Sequence, residues 1–171
     1  IIIDLQGAQT KNRFRNHTLL LAKAIVRNRG EHKIILTLSD LLPDAIESIR
    51  ATFDDLLSQE NIRVWKAPGP VCENNPENAK RRKTAELIRE AFLANLEPDI
   101  VHIMSLFEGY SDNAITSIGS FAQSLPTSVS LYDELFHQEL ENVIKTNTVY
   151  EEYYFRKVNQ MRHASLFLTL S

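Results

Sequence analysis

Three features of this sequence predict a doubly wound α/β fold, a parallel sheet covered by helices on both faces. Strand-like apolar runs alternate with helix-period segments along the whole chain. The run Ile100-Val101-His102-Ile103-Met104 is opened by the corner Pro98-Asp99 and passes with little polar alternation. A strand with one wet face alternates, so this run reads as a central parallel strand buried on both sides. It leaves into Ser105-Leu106-Phe107-Glu108-Gly109, a polar, glycine-containing loop of the kind that borders a ligand crevice at the carboxyl end of such a sheet.

The other elements follow in order. Ile1 to Leu5 is a β-branched first strand, ending in the turn Gln6 to Thr10. After the polar, basic stretch Lys11 to Asn16, Leu19 to Val26 predicts a buried helix closed by Arg27, Arg29 and Gly30. Lys33 to Leu38 is a second strand. Ile46, Ile49, Phe53 and Leu56 recur at helical spacing within Asp44 to Leu57, with Asp40 and Asp44 as expected caps. Ile62 to Lys66 alternates and is placed near an edge, and the prolines between Pro68 and Pro76 mark a loop. A long helix over 76–96 carries Ala85, Ile88, Phe92 and Leu96 on one stripe. Beyond the central strand, Asp112-Asn113 is expected to cap a short helix holding Ile115, Ile118 and Phe121. Thr127 to Tyr132 is a fifth strand; Tyr150, Tyr154, Val158 and Met161 mark a last helix; Leu166 to Leu170 is a sixth strand. Six strands joined by helices fit the order 3-2-1-4-5-6, which sets the first and fourth strands side by side at the switch point.

At 171 residues, with 43% hydrophobic and 24% charged content, the chain suits one domain spanning 1–171. A net charge of −3 gives no bias toward nucleic acid. The single cysteine, Cys72, has no internal partner, which fits a reducing, cytoplasmic compartment. The chain opens in one strand and stops in another, so we expect a piece of a longer protein. The first loop lacks the Gly-x-Gly-x-x-Gly of dinucleotide sites, and no Gly-x-x-x-x-Gly-Lys-Ser/Thr occurs. Receiver-type acidic clusters, nucleophile elbows and zinc-ligand spacings are absent as well.

The order of several short motifs resembles the N-terminal, Rossmann-like half of GT-B glycosyltransferases, most nearly the family 4, mannosyltransferase-like group that builds bacterial surface polysaccharides. The motifs are Asp4-Leu5-Gln6-Gly7, then Leu19-Leu20-Leu21-Ala22-Lys23-Ala24-Ile25, the strand Pro98 to His102 with its Gly loop, Tyr132-Asp133, and the final strand ending in Ser171. Two places depart from the pattern. Arg13-Phe14-Arg15 runs straight into Asn16-His17-Thr18 where the family has a Gly-Ile-Gly-Arg-Tyr-like segment, and Glu134 to His137 replaces an apolar continuation.

The resemblance implies a two-domain enzyme. This half meets a saccharide or lipid-linked acceptor, and a C-terminal domain of the same chain binds the nucleotide sugar, the co-substrate. It implies no cofactor and no metal held by this domain, and no transfer by this half alone. Tyr132 and Asp133 become the catalytic candidates, with Tyr where His is more usual; strand end and helix cap is their plain alternative. Gly7, Gln9, Ser105, Glu108, Arg13 and Arg15 become cleft candidates. Gly7 either supplies a permissive turn angle or lets the backbone approach the donor diphosphate. Glu108, beside Gly109, reads more simply as a solvated carboxylate, and His102 as a core histidine. Lys80-Arg81-Arg82-Lys83 is either a solvated helix face or a patch for anionic headgroups at the inner face of a membrane. A second class, a non-catalytic ligand-binding or interaction module on the same fold, stays open, because fold alone does not license an activity.

Overall fold

The computed structural model describes residues 1–12, 14–121, 125–132 and 143–170. Six strands, all parallel, form one sheet: β1 (Ile2–Asp4), β2 (Ile35–Ser39), β3 (Ile62–Trp65), β4 (Val101–Ile103), β5 (Thr127–Tyr132) and β6 (Leu166–Leu170), in the order β3-β2-β1-β4-β5-β6. This is the order expected from the sequence. Ile2 pairs with Ile35 on one side and Val101 on the other, so β1 and β4 are neighbours at the centre.

The main helical elements among the described residues are the short turn α1 (Gln6–Gln9), then α2 (Arg15–Arg27), α3 (Ile46–Thr52), α4 (Ala79–Asn95) and α5 (Thr148–Met161). Successive residues of β1 point to opposite faces and feed two cores. Ile3 packs with Leu36, Leu38, Ala22, Val26 and Ile49 under α2 and α3. Ile2 packs with Val101, Ile103, Val129 and Leu93 on the α4 side. Coverage of both faces explains why the central strands carry no polar alternation.

Three expectations need correction. The Leu19 to Val26 helix starts earlier, at Arg15, and is not buried all round: Thr18, Ala22 and Val26 face the core while Leu20 is 67% exposed. The sheet can cover only one side of it. Asp40 and Asp44 cap nothing; α3 is entered through a 3₁₀ turn, Pro43–Ala45, with no side-chain cap bond. The last helix forms where the sequence places it, as α5, with Tyr153, Lys157 and Gln160 as its buried residues. That helix lies partly on the polar loop after β4, so its inner face is not purely apolar.

The third correction concerns that loop. No helix forms around Ile115 to Phe121, because side chains take the backbone groups a helix would need. Asp112 Oδ1 accepts from Ala114 N at 2.8 Å, and Gln6 clamps Ile115 through both its N–H and its carbonyl. The Glu90 carboxylate accepts from Ser120 N, Phe121 N and the Ser117 hydroxyl. Arg89 donates to the Ser117 carbonyl at 2.9 Å. Glu86, Arg89 and Glu90 are accordingly buried on α4, where hydrophobic periodicity alone points to Ala85, Ile88 and Phe92.

Candidate functional site

The exit turns of β1 and β4 face one another. A Cβ built on Gly7 would lie 3.1 Å from the Ser105 Cβ, so the two turns touch where the sheet order reverses. Gly7 does not have a positive φ, which removes the turn-angle reading; its missing side chain lets the loops close on each other. Gly109 is the residue that needs the left-handed region, at φ +91°.

Beside this contact lies a cleft of about 230 Å³, walled by Asn12 and Phe14 from the first loop, the segment from Ser105 to Asp112, and Ser130 and Tyr132 from β5. A second hollow of about 420 Å³ shares Asn12, Ser111 and Asp112 with it and runs on toward Gln9, Leu41 and Asp44. Together they form a trough across the carboxyl ends of β2, β1, β4 and β5.

Glu108 is the chemical centre of the cleft. It is 5% exposed, against the solvated reading, and Asn12 Nδ2 donates to its Oε1. Burial pushes its carboxyl up to about 7; hydrogen bonding from Ser105 and Thr10 and the charge of Lys157 pull the other way, while Asp112 adds to the rise. Asn12 is itself held, its Oδ1 accepting from Phe14 N at 2.9 Å. Tyr132 stacks on Phe14 with ring centroids 4.8 Å apart and an interplanar angle of 11°. Its hydroxyl lies 3.4 Å from Thr18 Oγ1, and burial raises its pKa, so at neutral pH it is a phenol.

α5 braces the loop from below. The Tyr153 hydroxyl donates to the Glu108 carbonyl at 3.3 Å. One turn on, Lys157 Nζ donates to Thr116 Oγ1 at 2.6 Å, and Thr116 in turn donates to the Leu106 carbonyl. Lys157 is fully enclosed, and burial lowers its pKa to about 7, helped by Arg156 and opposed by Glu73 and Glu86. Among the described residues no carboxylate comes within ion-pair distance of it.

Of the residues singled out from the sequence, Ser105, Glu108 and Tyr132 line the cleft. Gly7 supports it from behind. Gln9 is committed to structure, holding the Ser39 N–H and the Ser39 and Leu42 carbonyls, though it also borders the second hollow. Arg15 Nε donates to the Ala8 carbonyl. Arg13, Asp133, Glu134 and His137 lie outside the described residues. In the basic run, Arg82 is drawn to Glu73 at 3.6 Å and Arg81 holds the Pro70 carbonyl and Asn78, leaving Lys80 and Lys83 as its exposed members. His102 is a core histidine, its ring nitrogens 2.9 Å from Ser128 Oγ and 3.1 Å from Ser130 Oγ.

Sequence reading missed Asn12, Phe14, Asp112 and Lys157 as parts of the site. The alternation of glycine, amide and acid in the loops carried no signal for Asn12 and Asp112. A lysine inside a helix with an apolar stripe on its other side reads as solvent-facing until the loop beneath it is seen. Among the described residues, no group of three or more His, Cys, Asp or Glu side chains is placed to hold a metal ion, and no helix is long and apolar enough to cross a membrane.

Fold and cleft together define a Rossmann-like α/β domain with a switch-point crevice. By sequence the chain is similar to part of three mannosyltransferases. It is 30% identical over 176 aligned positions to a serotype-specific mannosyltransferase WbdA of Escherichia coli, covering 100% of this chain and 21% of that protein. Two further Escherichia coli proteins of the same name match at 29% and 26% identity, each over 88% of this chain and 18% of theirs. The chain thus spans about a fifth of the length of the curated relatives it matches. No family model and no solved structure matches it.

Proposed function

We propose that this chain is the N-terminal, acceptor-side domain of a GT-B glycosyltransferase that moves a sugar, mannosyl by analogy with the relatives, from a nucleotide sugar to a saccharide or lipid-linked acceptor. The observation that carries the reading is the crevice between the touching exit turns of β1 and β4, lined by a stacked aromatic pair, an amide and a buried carboxyl. Aromatic faces and paired amide and acid groups are what sugar rings and their hydroxyls bind to. Similarity to mannosyltransferases along the whole chain supports the same reading.

In this scheme the nucleotide sugar sits mainly on a second domain of the same protein, across the trough. The acceptor hydroxyl forms the new bond to the anomeric carbon as the bond from that carbon to the diphosphate breaks. This domain binds and orients the acceptor and shields the reacting atoms from water. The work belongs to surface polysaccharide synthesis in the cytoplasm, with Lys80 and Lys83 free to meet anionic headgroups of the inner membrane face.

The test is to incubate the full-length protein, and separately residues 1–171, with a panel of nucleotide sugars and saccharide acceptors, following product mass. We expect glycosylated product from the full-length protein and none from the isolated domain. Saccharide binding without any turnover by the full-length protein would instead make this a binding module.

A further inference from the structure

Glu108 is a carboxyl group enclosed by protein yet bordering an open cleft. Asn12 Nδ2 donates to it, and Ser105 and Thr10 hydrogen-bond it as well. A carboxylate offers about four acceptor positions, so about one remains for a further donor. No arginine or lysine forms an ion pair with it among the described residues. A carboxyl that lines a cleft with acceptor capacity to spare can take a further donor from a ligand. The wanted ligand is a neutral donor, because the cleft is lined by neutral hydroxyls, an amide and aromatic rings, which suit a hydroxyl better than a charged group.

The walls agree with that choice. Phe14 and Tyr132 stack almost face to face on one side, giving a flat apolar wall for a ring. Ser105, Ser111 and Ser130 add neutral hydroxyls. The position of Glu108 is also fixed from three directions: by Asn12 at its tip, by Tyr153 on its carbonyl, and by the contact of its loop with Gly7, whose added Cβ would stand 3.5 Å from Oε1.

We propose that Glu108 receives a hydroxyl of the saccharide acceptor, with Asn12 holding the carboxyl in place and the Phe14–Tyr132 pair forming the wall against which the sugar ring lies. This inference rests on the glycosyl-transfer reading and adds to it the residue that selects and orients the acceptor. Its carboxyl, pushed up to about 7, exchanges its proton in the neutral range, and the charged form accepts the stronger hydrogen bond. The acceptor is therefore held more tightly as pH rises through 7. The other groups facing Glu108 are Asp112 on its own loop, Lys157 and Tyr153 on α5, and Tyr132 on β5.

The experiment uses the full-length protein with a saccharide acceptor, measuring KM for acceptor and for nucleotide sugar between pH 6 and 8. In Glu108→Gln we expect acceptor KM to rise about 10- to 100-fold, the effect of a lost bond to a charged group, with nucleotide-sugar KM unchanged. We also expect the fall of acceptor KM with pH to flatten, which a merely structural role would not produce. Should Glu108→Gln fail to fold by thermal melting, Asn12→Ala serves instead, raising acceptor KM alone. Unchanged acceptor KM, equal changes in both KM values, or an intact pH profile in Glu108→Gln overturns the proposal while leaving glycosyl transfer standing. No transfer by the unmodified full-length protein removes both.

Discussion

The Asp4 carboxylate at the end of β1 and the Arg89 guanidinium of α4, 85 residues apart in the chain, form a fully buried ion pair. Arg89 Nε donates to Asp4 Oδ2 at 2.8 Å, and Gln6 adds its backbone N–H to Oδ1 at 3.1 Å. The Asp of the Asp-Leu-Gln-Gly motif is therefore a structural anchor. Through Arg89 and the Ser117 carbonyl it ties the sheet to the loop that walls the cleft. Breaking one member of such a pair strands a charge and costs about 3–5 kcal/mol. Arg89→Met should lose about that much stability in urea unfolding. Asp4→Asn combined with Arg89→Met should lose less than the sum of the single changes, and strict additivity would argue against the pairing.

Gly109→Ala should be among the most damaging small substitutions in the loop. The residue sits at φ +91°, and an added Cβ would run into the Ala114 carbonyl oxygen. Strain of this kind costs roughly 1–3 kcal/mol before any clash is counted. Gly7→Ala tests a different cause, overpacking against the Ser105 Cβ. Overpacking costs about 1–3 kcal/mol, more than the ~1 kcal/mol that Ala gains over Gly in a helix, and α1 is too short to realise much of that gain. Removing the opposing Cβ, in Gly7→Ala with Ser105→Gly, should recover part of the loss, whereas no such partner change rescues Gly109→Ala. Thermal melting of the three variants distinguishes the two.

The strand order was legible because it follows from alternation alone: helix-separated apolar runs leave few right-handed, unknotted ways to close a six-stranded sheet. The switch-point loop was legible for the same reason, as Ser105 and Glu108 had to follow β4. Burial within the loop was not. Glu108 beside Gly109 looks solvated in sequence, since nothing local reveals that Asn12 and Tyr153, from remote segments, close over it. The charged inner face of α4 was hidden likewise. Glu86, Arg89 and Glu90 are buried because an irregular loop needs their hydrogen bonds, a demand set by tertiary contacts and invisible to hydrophobic periodicity.

Tyr132 and Phe14 supply a packing test of the cleft wall. The hydroxyl contact to Thr18 is long at 3.4 Å, so Tyr132→Phe should cost under ~1 kcal/mol. Tyr132→Ala removes a buried ring and should cost about 3 kcal/mol or more. Phe14→Ala and Tyr132→Ala should couple by about 0.5–1.5 kcal/mol, the range for stacked rings. A double-mutant cycle in denaturant reads this coupling; a value near zero would mean the rings merely lie close.

Lys157 and Glu108 set the pH dependence of stability in opposite senses. Burial lowers Lys157 from its ordinary 10.5 to about 7. Between those values the unfolded chain holds a proton that the folded one lacks, so stability rises with pH, by up to about 1.4 kcal/mol per unit. Below 7 both states are protonated and the cost of enclosing the ammonium is present in full. Burial raises Glu108 from 4.5 to about 7, so between those values the folded state holds the extra proton and stability falls as pH rises. The two contributions meet near neutrality, where their combined support is least. Lys157→Met exchanges an enclosed cation for an apolar chain of similar length, giving up its bond to Thr116. It should raise stability at pH 7 and below, abolish the climb from 7 toward 10.5, and leave the Glu108 slope between 4.5 and 7 in place. Urea midpoints measured at unit intervals from pH 5 to 10 decide the matter, and parallel curves for the two proteins would show that Lys157 keeps its ordinary charge when folded.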